Sequence, residues 1–296
     1  MMEEILSPAK INLFLHITGK RIDGYHELYT LMTCLDFGDI LEFDFRGSSV
    51  SISCDDPDLP EDGKNLVHRA ATLFFHELSR KQPYGKEKPG VKVAIRKKIP
   101  VGAGLGGGSY NAATTLMTLN RHFNFLFTPH ELMAMGLLLG TDVPFFIHGG
   151  PAFARGVGEK LMECEPLLPY HVVVFFPGFS ASTPLVYQNV NLALTKQKKT
   201  NNNALLNSGE KGRPFDVRGL LYNDLEEVAC RIYPDVKKVR EMMTGFLPDG
   251  LLMTGSGSSF FALFSDASRA KNVYDLLSEK IRYGHERVFI TSFLNA

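Results

Sequence analysis

Glycine dominates one short stretch of this 296-residue sequence. Five of the seven residues from Gly102 to Gly108 are glycines, and Ser109 and a run of small residues typical of a helix follow them. Because glycine has no side chain, the backbone N–H groups of such a loop can point into a concave surface, and the start of a helix adds the positive end of its dipole. Phosphate is the natural occupant of this kind of loop. The alternative is a tight turn that binds no ligand.

Two well-known nucleotide-binding loops are also glycine-rich, and both are disfavoured here. Gly102, Gly104 and Gly107 formally complete a GxGxxG pattern. A dinucleotide-binding turn, however, follows a buried parallel strand, which reads as a continuous apolar run. The preceding segment, 91–95, mostly alternates apolar and polar residues and leads into positive charges. No Gly-Lys-Ser/Thr follows the loop, which excludes a Walker A motif. A phosphate loop of another kind remains.

Composition limits the possible function classes. Lys plus Arg and Asp plus Glu each number 32, so the formal net charge is zero and no global positive field favours nucleic acid or an anionic membrane. The four cysteines and nine histidines show no disulfide or zinc spacing, so no protein-built metal site is predicted. No apolar run reaches the roughly 18 residues that span a membrane, and the N-terminus lacks the features of a signal peptide. The sequence predicts a cytoplasmic protein with no nucleic-acid or membrane partner.

Apolar periodicity predicts the elements that position the loop. Strands are predicted at 9–17, 38–45, 49–54, 91–95 and 171–176, and helices at 65–78, 111–122, 129–139, 221–232 and 234–246. Residues 140–161 read as loop and strand. Pro166 and Pro169 indicate a domain boundary near residue 165. The polar segment 191–218 is predicted to be a mobile insertion, with plain surface disorder and an active-site flap as open alternatives.

Three ordered motifs resemble those of the GHMP kinases, a family named for galactokinase, homoserine kinase, mevalonate kinase and phosphomevalonate kinase. They are Pro8-Ala-Lys-Ile-Asn-Leu13, the loop from Pro100 to Ser109, and Met253-Thr-Gly-Ser-Gly-Ser-Ser259. The resemblance implies an α+β, two-domain GHMP-kinase fold with the active site in the interdomain cleft. The N-terminal domain, 1–165, would bind ATP, and the C-terminal domain, 166–296, would complete the substrate pocket. ATP and Mg²⁺ are the implied cofactors.

The same resemblance implies roles for individual residues. Asp142 would be the general base, and Lys10 would hold its carboxylate ionised. Taken alone, Asp142 reads as a turn residue and Lys10 as a solvated strand residue. Ser109 would also contact Mg²⁺, whereas Tyr110 departs from the second serine that is usual in the family. The implied phosphate-binding residues are Pro100, Gly102, Ala103, Gly104, Leu105, Gly106, Gly107, Gly108 and Ser109.

The first motif continues into Asp-Gly-Tyr-His and there resembles the branch of the family whose small-molecule substrate carries a cytidine diphosphate group. In that branch a tyrosine stacks on cytosine and a histidine hydrogen-bonds its edge, which implies these roles for Tyr25 and His26. For Tyr187, ordinary packing is an equal alternative to a substrate contact. The remaining implied site residues are Asn12, Thr183 and Tyr187 for the substrate, Asn65 and Lys97 for adenine, and the supporting turn of Gly255, Ser256 and Gly257.

Two rival functions stay open on the sequence alone. One is another small-alcohol kinase of the same fold, which the Asp-Gly-Tyr-His segment argues against because mevalonate and homoserine have no base to stack. The other is a catalytically inactive member that acts as a ligand sensor. The presence of both Lys10 and Asp142 argues against that second function.

Overall fold

The computed structural model describes residues 3–82, 88–192, 214–281 and 284–294. The chain divides into two compact units, each assembled from separated stretches. The first unit is drawn from 1–9, 37–99 and 106–149, and the second unit from 10–36, 100–105 and 150–296. The contiguous division predicted at residue 165 stays a prediction. Most of the polar segment 191–218 lies outside the described residues.

The described chain contains eleven strands and eight α-helices, which follow one another partly in runs of the same type. The strands are β1 (Glu3–Lys20), β2 (His26–Gly47), β3 (Val50–Cys54), β4 (Gly90–Arg96), β5 (Ala152–Gly156), β6 (Lys160–Glu163), β7 (His171–Phe176), β8 (Tyr222–Asn223), β9 (Gly250–Met253), β10 (Phe260–Phe264) and β11 (Arg287–Ser292). The helices are α1 (Leu66–Lys81), α2 (Gly107–His122), α3 (Pro129–Leu139), α4 (Val143–His148), α5 (Thr183–Gln188), a 3₁₀ turn (Arg218–Leu220), α6 (Asp224–Ile232), α7 (Pro234–Thr244) and α8 (Ala267–Lys280). Within the described ranges, no helix is both long and apolar enough to cross a membrane.

The first unit contains a short sheet and four helices, of which α1 packs on β3 and β4. β3 runs parallel to β4, and β4 runs antiparallel to the end of β2, with Ile40 opposite Arg96. Val91, Val93 and Ile95 are buried, which confirms the prediction that alternate residues of β4 face a core. Helices α1 and α2 pack against each other, and each buries small residues beside larger apolar ones such as Phe74 and Leu116. Those small residues are Ala70, Ala71, Ala112, Ala113, Thr114 and Thr115.

The second unit contains a four-stranded antiparallel sheet in the order β11-β7-β10-β9. Every residue of β10 is buried, and Phe260 and Phe264 pack with residues of α6, α7 and α8 in one apolar core. Each fully buried phenylalanine contributes roughly 1.5–3 kcal/mol to folding. The hairpin end of β1 and β2 belongs to the same unit, where β1 pairs in parallel with β8 and β2 pairs antiparallel with β5.

Several elements differ from the prediction, and the reasons are local. β2 begins at His26 rather than near residue 38, because its first half lacks a clear apolar alternation. The predicted helix 221–232 begins only at Asp224, where Asn223 accepts the N–H of Leu225 as an N-cap. α4 and α5 were not predicted, because helices of six residues are too short to show a period. The strand predicted at 9–17 is confirmed but extends to Glu3–Lys20, and the other predicted helices and strands are confirmed within a few residues.

Candidate active site

The glycine loop has the left-handed backbone that only glycine adopts easily. Gly102, Gly104 and Gly106 have φ of 68°, 78° and 74°, a region that costs other residues roughly 1–2 kcal/mol. Neighbouring atoms impose a second constraint. In the second unit, a Cβ on Gly104 would lie 2.7 Å from the carbonyl oxygen of Thr254, and one on Gly102 would overlap the side chain of Ser180. Conformation and space therefore both require glycine here.

Helix α2 begins within the glycine run, earlier than the predicted start at residue 111. Its N-cap is Gly106, which has no side chain with which to cap the helix. The first-turn N–H groups of an α-helix have no partner inside the helix, and here they belong to Gly107, Gly108 and Ser109. Because the helix dipole is positive at this end, these groups form an anion-binding terminus. This is the feature expected of a phosphate loop.

Lys10 lies on β1 in the second unit with its side chain in a hydrogen-bonded chain. The residue is 5% exposed, and its Nζ donates to Oδ1 of Asn12 at 2.6 Å. Asn12 Nδ2 donates to the hydroxyl of Thr30 at 2.9 Å, and that hydroxyl donates to the carbonyl oxygen of Phe14 at 2.5 Å. The chain fixes which end of the Asn12 amide faces the ammonium group. Lys10 and Asn12 meet because alternate residues of a strand share one face.

The three sequence motifs meet in the second unit. The backbone N–H of Lys10 donates to the carbonyl oxygen of Leu105 at 2.9 Å, which joins the first motif to the glycine loop. The backbone N–H of Asn12 donates to the hydroxyl of Thr254 at 3.2 Å, which joins the first motif to the third. Strand β1 therefore holds both glycine-rich segments through its own backbone. Sequence reasoning did not single out Thr254, although it stands inside the third motif.

The supporting glycine turn is held by Asn223, which precedes α6. Its Nδ2 donates to the carbonyl oxygens of Met253 and Gly255 at 2.7 and 2.8 Å. Its Oδ1 accepts the N–H of Leu225 at 2.9 Å. Gly255 and Gly257 have φ of 57° and 90°, so the turn uses the left-handed region twice. No motif points to Asn223, because an asparagine before an acidic helix start looks like any other N-cap.

Helix α5 brings predicted substrate residues next to other predicted site residues. The hydroxyl of Thr183, in its first turn, lies 2.7 Å from the hydroxyl of Ser256 in the glycine turn. One turn later, the ring of Tyr187 lies 5.5 Å from the imidazole of His26, between ring centres. Four residues implied by the family resemblance therefore lie side by side in the second unit. The short helix that aligns them has Ser182 as its N-cap.

Tyr25 and His26 lie at the β1–β2 hairpin and differ in exposure. Tyr25 is 61% exposed, whereas His26 is buried. Burial and the nearby positive charge of Lys20 hold the pKa of His26 below its ordinary value of 6.5. The imidazole is therefore neutral at pH 7, with one nitrogen as donor and the other as acceptor. A neutral imidazole of this kind suits recognition of the polar edge of a base.

Asp142 belongs to the first unit and occupies the N-cap position of α4. Its half-buried side chain makes no cap hydrogen bond, and Pro144 stands in the first turn of the helix. The hydroxyl of Ser109 lies 3.7 Å from the position that a Cβ on Gly140 would take. The loop that ends at Asp142 therefore runs past the first turn of α2. The predicted base and the predicted phosphate-loop serine thus lie on adjoining segments.

Three other residues of the first unit have structural partners. The ring of Tyr110 stacks on that of Phe146 with centres 4.2 Å apart. Asn65 caps α1 through Oδ1 and donates through Nδ2 to a carbonyl oxygen at 2.7 Å. The ammonium group of Lys97 pairs with the carboxylate of Asp39, a residue that sequence reasoning missed because its segment reads as plain strand. An adenine contact by Asn65 or Lys97 stays a prediction.

The oxygen-bearing side chains near the start of α2 are of the kind that can bind a magnesium ion together with a nucleotide. Among the residues that the structure describes, no group of three or more His, Cys, Asp and Glu could hold a metal ion. Mg²⁺ in kinases usually binds through one or two protein oxygens together with phosphate oxygens. Ser109 and Asp142 supply two oxygen-bearing side chains in the first unit. A cation shared with phosphates is therefore compatible with these residues.

Comparison with known proteins finds relatives of the whole chain. The family model described as GHMP kinases N terminal domain matches residues 65–150, and the one described as GHMP kinases C terminal matches 206–282. The 4-diphosphocytidyl-2-C-methyl-D-erythritol kinases of Syntrophotalea carbinolica and Syntrophus aciditrophicus are 40% and 38% identical to this chain. Each match covers 94% of this chain and 95% of the relative.

Solved structures of related proteins share the fold. A crystal structure of 4-(cytidine 5'-diphospho)-2C-methyl-D-erythritol kinase matches with a TM-score of 0.79 and 35% identity, over 99% of this chain and 100% of that chain. Homoserine kinase from Cytophaga hutchinsonii matches with a TM-score of 0.72 but only 16% identity, over 99% and 95% of the two chains. The second likeness concerns the fold alone. The predicted α+β, two-domain GHMP-kinase fold is confirmed.

Proposed function

Because this chain belongs to the GHMP kinase family, and within it to the 4-diphosphocytidyl-2-C-methyl-D-erythritol kinases, we propose that it phosphorylates the 2-hydroxyl of 4-diphosphocytidyl-2-C-methyl-D-erythritol. ATP donates its γ-phosphoryl group, and the products are the 2-phosphate and ADP. Use of ATP follows from membership of a kinase family. The reaction belongs to the non-mevalonate route to isoprenoid precursors.

The observation that carries the proposal is the meeting of the three motifs in the second unit. Strand β1 bonds through Lys10 to Leu105 of the glycine loop and through Asn12 to Thr254 of the glycine turn. A kinase needs its phosphate cradle held in a fixed relation to the groups that act on the transferred phosphoryl group. A ligand-binding turn without catalysis would not need a buried ammonium group in the same network.

Asp142 and Lys10 are proposed to act on the reacting hydroxyl. As the bond between the substrate oxygen and the γ-phosphorus forms, the bond from that phosphorus to the β-phosphate oxygen breaks. The proton of the hydroxyl passes to the carboxylate of Asp142. A positioned base of this kind contributes roughly 10²- to 10⁴-fold to rate. The ammonium group of Lys10 is proposed to orient the hydroxyl for transfer.

The nucleotide phosphates are proposed to bind the glycine loop and the first turn of α2. The N–H groups at Gly107, Gly108 and Ser109 are directed donors, and the positive φ of Gly102 and Gly104 lets the loop backbone approach an anion. Gly255, Ser256 and Gly257 are proposed to support this cradle. Ser109 is proposed as an oxygen ligand of Mg²⁺, which when bound neutralises phosphate charge.

Cytosine is proposed to bind among Tyr25, His26 and Tyr187. The exposed ring of Tyr25 offers a face for stacking, and the neutral imidazole of His26 offers a donor and an acceptor. Tyr187 lies beside the imidazole and supplies a second aromatic wall. Thr183 and Asn12 are proposed as further polar contacts to the substrate. The roles of Asn65 and Lys97 near adenine rest on family resemblance.

The test is ADP release with four candidate acceptors in parallel. We expect turnover with 4-diphosphocytidyl-2-C-methyl-D-erythritol and none with mevalonate, homoserine or galactose. Asp142→Asn should lower kcat by roughly 10²- to 10⁴-fold while changing the KM for ATP little. Asp266→Asn is the matched control, because Asp266 also occupies a helix N-cap, that of α8.

Other outcomes would each reject a stated part of the proposal. Turnover with mevalonate or homoserine would keep the fold and reject the roles of Tyr25 and His26. ATP binding without turnover of any acceptor would instead favour a ligand sensor. The boundary at residue 165 and a cytoplasmic location are proposed on the sequence; the two family models match on either side of that boundary.

A further inference from the structure

Asp39 is a fully buried carboxylate that accepts four hydrogen bonds. Its Oδ1 accepts the backbone N–H groups of Lys98 and Ile99 at 2.8 and 2.9 Å. Its Oδ2 accepts the Nδ2 of Asn111 at 2.9 Å and the ammonium group of Lys97. Asp39 is 0% exposed, and burying a carboxylate is costly unless partners of this kind surround it. Because Asp39 is buried, its carboxylate would be costly if any of these four hydrogen bonds were lost.

The four donors come from the two segments that flank the glycine loop in sequence. Lys97, Lys98 and Ile99 precede Pro100, whereas Asn111 lies in the second turn of α2. All of these donors and Asp39 belong to the first unit. One carboxylate therefore fixes the approach to the loop and the helix that leaves it. Asp39 itself is held on β2, which is paired with β4 immediately before Lys97.

The first turn of α2 is packed directly against this cluster. A Cβ on Gly107 would lie 3.1 Å from Cγ2 of Ile99 and 3.3 Å from the ammonium group of Lys97. The anion-binding N–H groups of α2 therefore sit beside a positive charge whose position Asp39 sets. Binding groups must be held within about 0.5 Å of their productive geometry. Because of this contact, a displacement of Ile99 or Lys97 would also displace the start of α2.

We propose that Asp39 is a positioning residue that holds the ATP phosphate-binding terminus of α2 in its binding geometry. It acts through Lys97, Ile99 and Asn111 and has no contact with the reacting atoms. The proposal rests on the proposed function only for the identity of the nucleotide. Its specific consequence is that loss of the Asp39 carboxylate weakens ATP binding while leaving the cytidine substrate unaffected.

Asp39→Asn tests this with almost no change of shape. The substituted amide presents N–H groups to donors that require an acceptor, and it leaves the ammonium group of Lys97 without its counter-charge. We expect the Kd for ATP, measured by calorimetry without the second substrate, to rise roughly tenfold or more. The Kd for 4-diphosphocytidyl-2-C-methyl-D-erythritol should stay within about twofold of the original value.

Asp249→Asn is the matched control, and two more variants cover a failure to fold. Asp249 also accepts a backbone N–H, from Ser265, and pairs with Arg269, but it lies in the second unit. Its substitution should lower Tm without changing the Kd for ATP. If Asp39→Asn does not fold, Asn111→Leu removes the α2 link alone and should still raise the Kd for ATP. Asp39→Asn with Asn111→Asp returns a carboxylate to the cluster and should restore part of the affinity.

The outcomes separate this inference from the proposed function. An unchanged Kd for ATP in both Asp39→Asn and Asn111→Leu would overturn the inference, and so would an equal rise in the Kd of both ligands, which indicates general loosening. Lack of turnover by the unmodified protein would reject the proposed function. The calorimetric comparison would still decide the role of Asp39, because it needs nucleotide binding and no turnover.

Discussion

Substitution of Gly104 by alanine is the most informative single change in the glycine loop. The φ of Gly104 is 78°, and alanine pays roughly 1–2 kcal/mol to adopt this region. The added Cβ would lie 2.7 Å from the carbonyl oxygen of Thr254 and 3.1 Å from that of Gly257. Both obstacles are backbone atoms, so no side-chain rotation relieves them. The loop and the glycine turn must separate by about 0.7 Å to restore the 3.4 Å of ordinary contact.

A displacement of this size predicts a large loss of activity. Misplacement of a binding group by 1 Å can cost about 10²-fold in rate. We therefore expect Gly104→Ala to lower kcat/KM for ATP by roughly 10- to 100-fold. The assay is steady-state ADP release with the cytidine substrate held at saturation, beside thermal unfolding of the same samples.

Gly284→Ala is the control that measures the cost of a positive φ without any steric clash. Gly284 has a φ of 80°, almost that of Gly104, and nothing lies within 4 Å of its would-be Cβ. It should lower Tm by a few degrees, since about 1 kcal/mol corresponds to roughly 2–4 °C in a chain of this size. Its kcat/KM should not change. Equal activity of the Gly104→Ala and Gly284→Ala variants would refute the argument that the loop needs close contact with the turn.

Three further predictions follow from the site. The pKa of His26 is lowered, so the imidazole stays neutral as pH falls through 6.5, and the KM for the cytidine substrate should be flat there. Below the lowered pKa, protonation removes the acceptor nitrogen and KM should rise roughly tenfold per pH unit, a rise that His26→Gln should abolish. Tyr110→Phe keeps the ring that stacks on Phe146 and should retain activity. Tyr110→Ser removes this ring and should lower Tm by a few degrees. Equal Tm values for the two variants would contradict a stabilising role for the stack. Lys10→Met removes the ammonium group but keeps a side chain of similar volume, and it should lower kcat roughly 10²-fold or more with little change in ATP affinity. A normal kcat of this variant in the ADP-release assay would exclude Lys10 from the chemistry.

The glycine loop was predictable because its chemistry is local. Only glycine adopts the φ of Gly102, Gly104 and Gly106 without strain, so their pattern alone indicates a backbone that approaches a ligand. The burial of Val91 and Val93 in β4 follows in the same way from alternation within one strand. Such features depend on residues that are neighbours in sequence, and periodicity records them directly.

The parts that could not be predicted depend on partners far along the chain. Asp39 is an ordinary strand residue until Lys97, Lys98, Ile99 and Asn111 are brought around it by β4 and α2. No period or motif encodes a convergence across 58 to 72 positions. Family resemblance identified the catalytic candidates, but it said nothing about the side chains that hold them in place.

The two-sided role of Asn223 has a consequence for how sequences of this kind can diverge. Its amide nitrogen supplies two protons to the glycine turn, and its oxygen caps α6. Aspartate would keep the cap and lose both donors, serine has a single proton, and glutamine is one methylene longer. None of these single substitutions therefore keeps both the cap of α6 and the two hydrogen bonds to the glycine turn. Any lineage that replaces Asn223 must first acquire a compensating change in the turn or at the start of α6, so the order of mutations would itself be constrained.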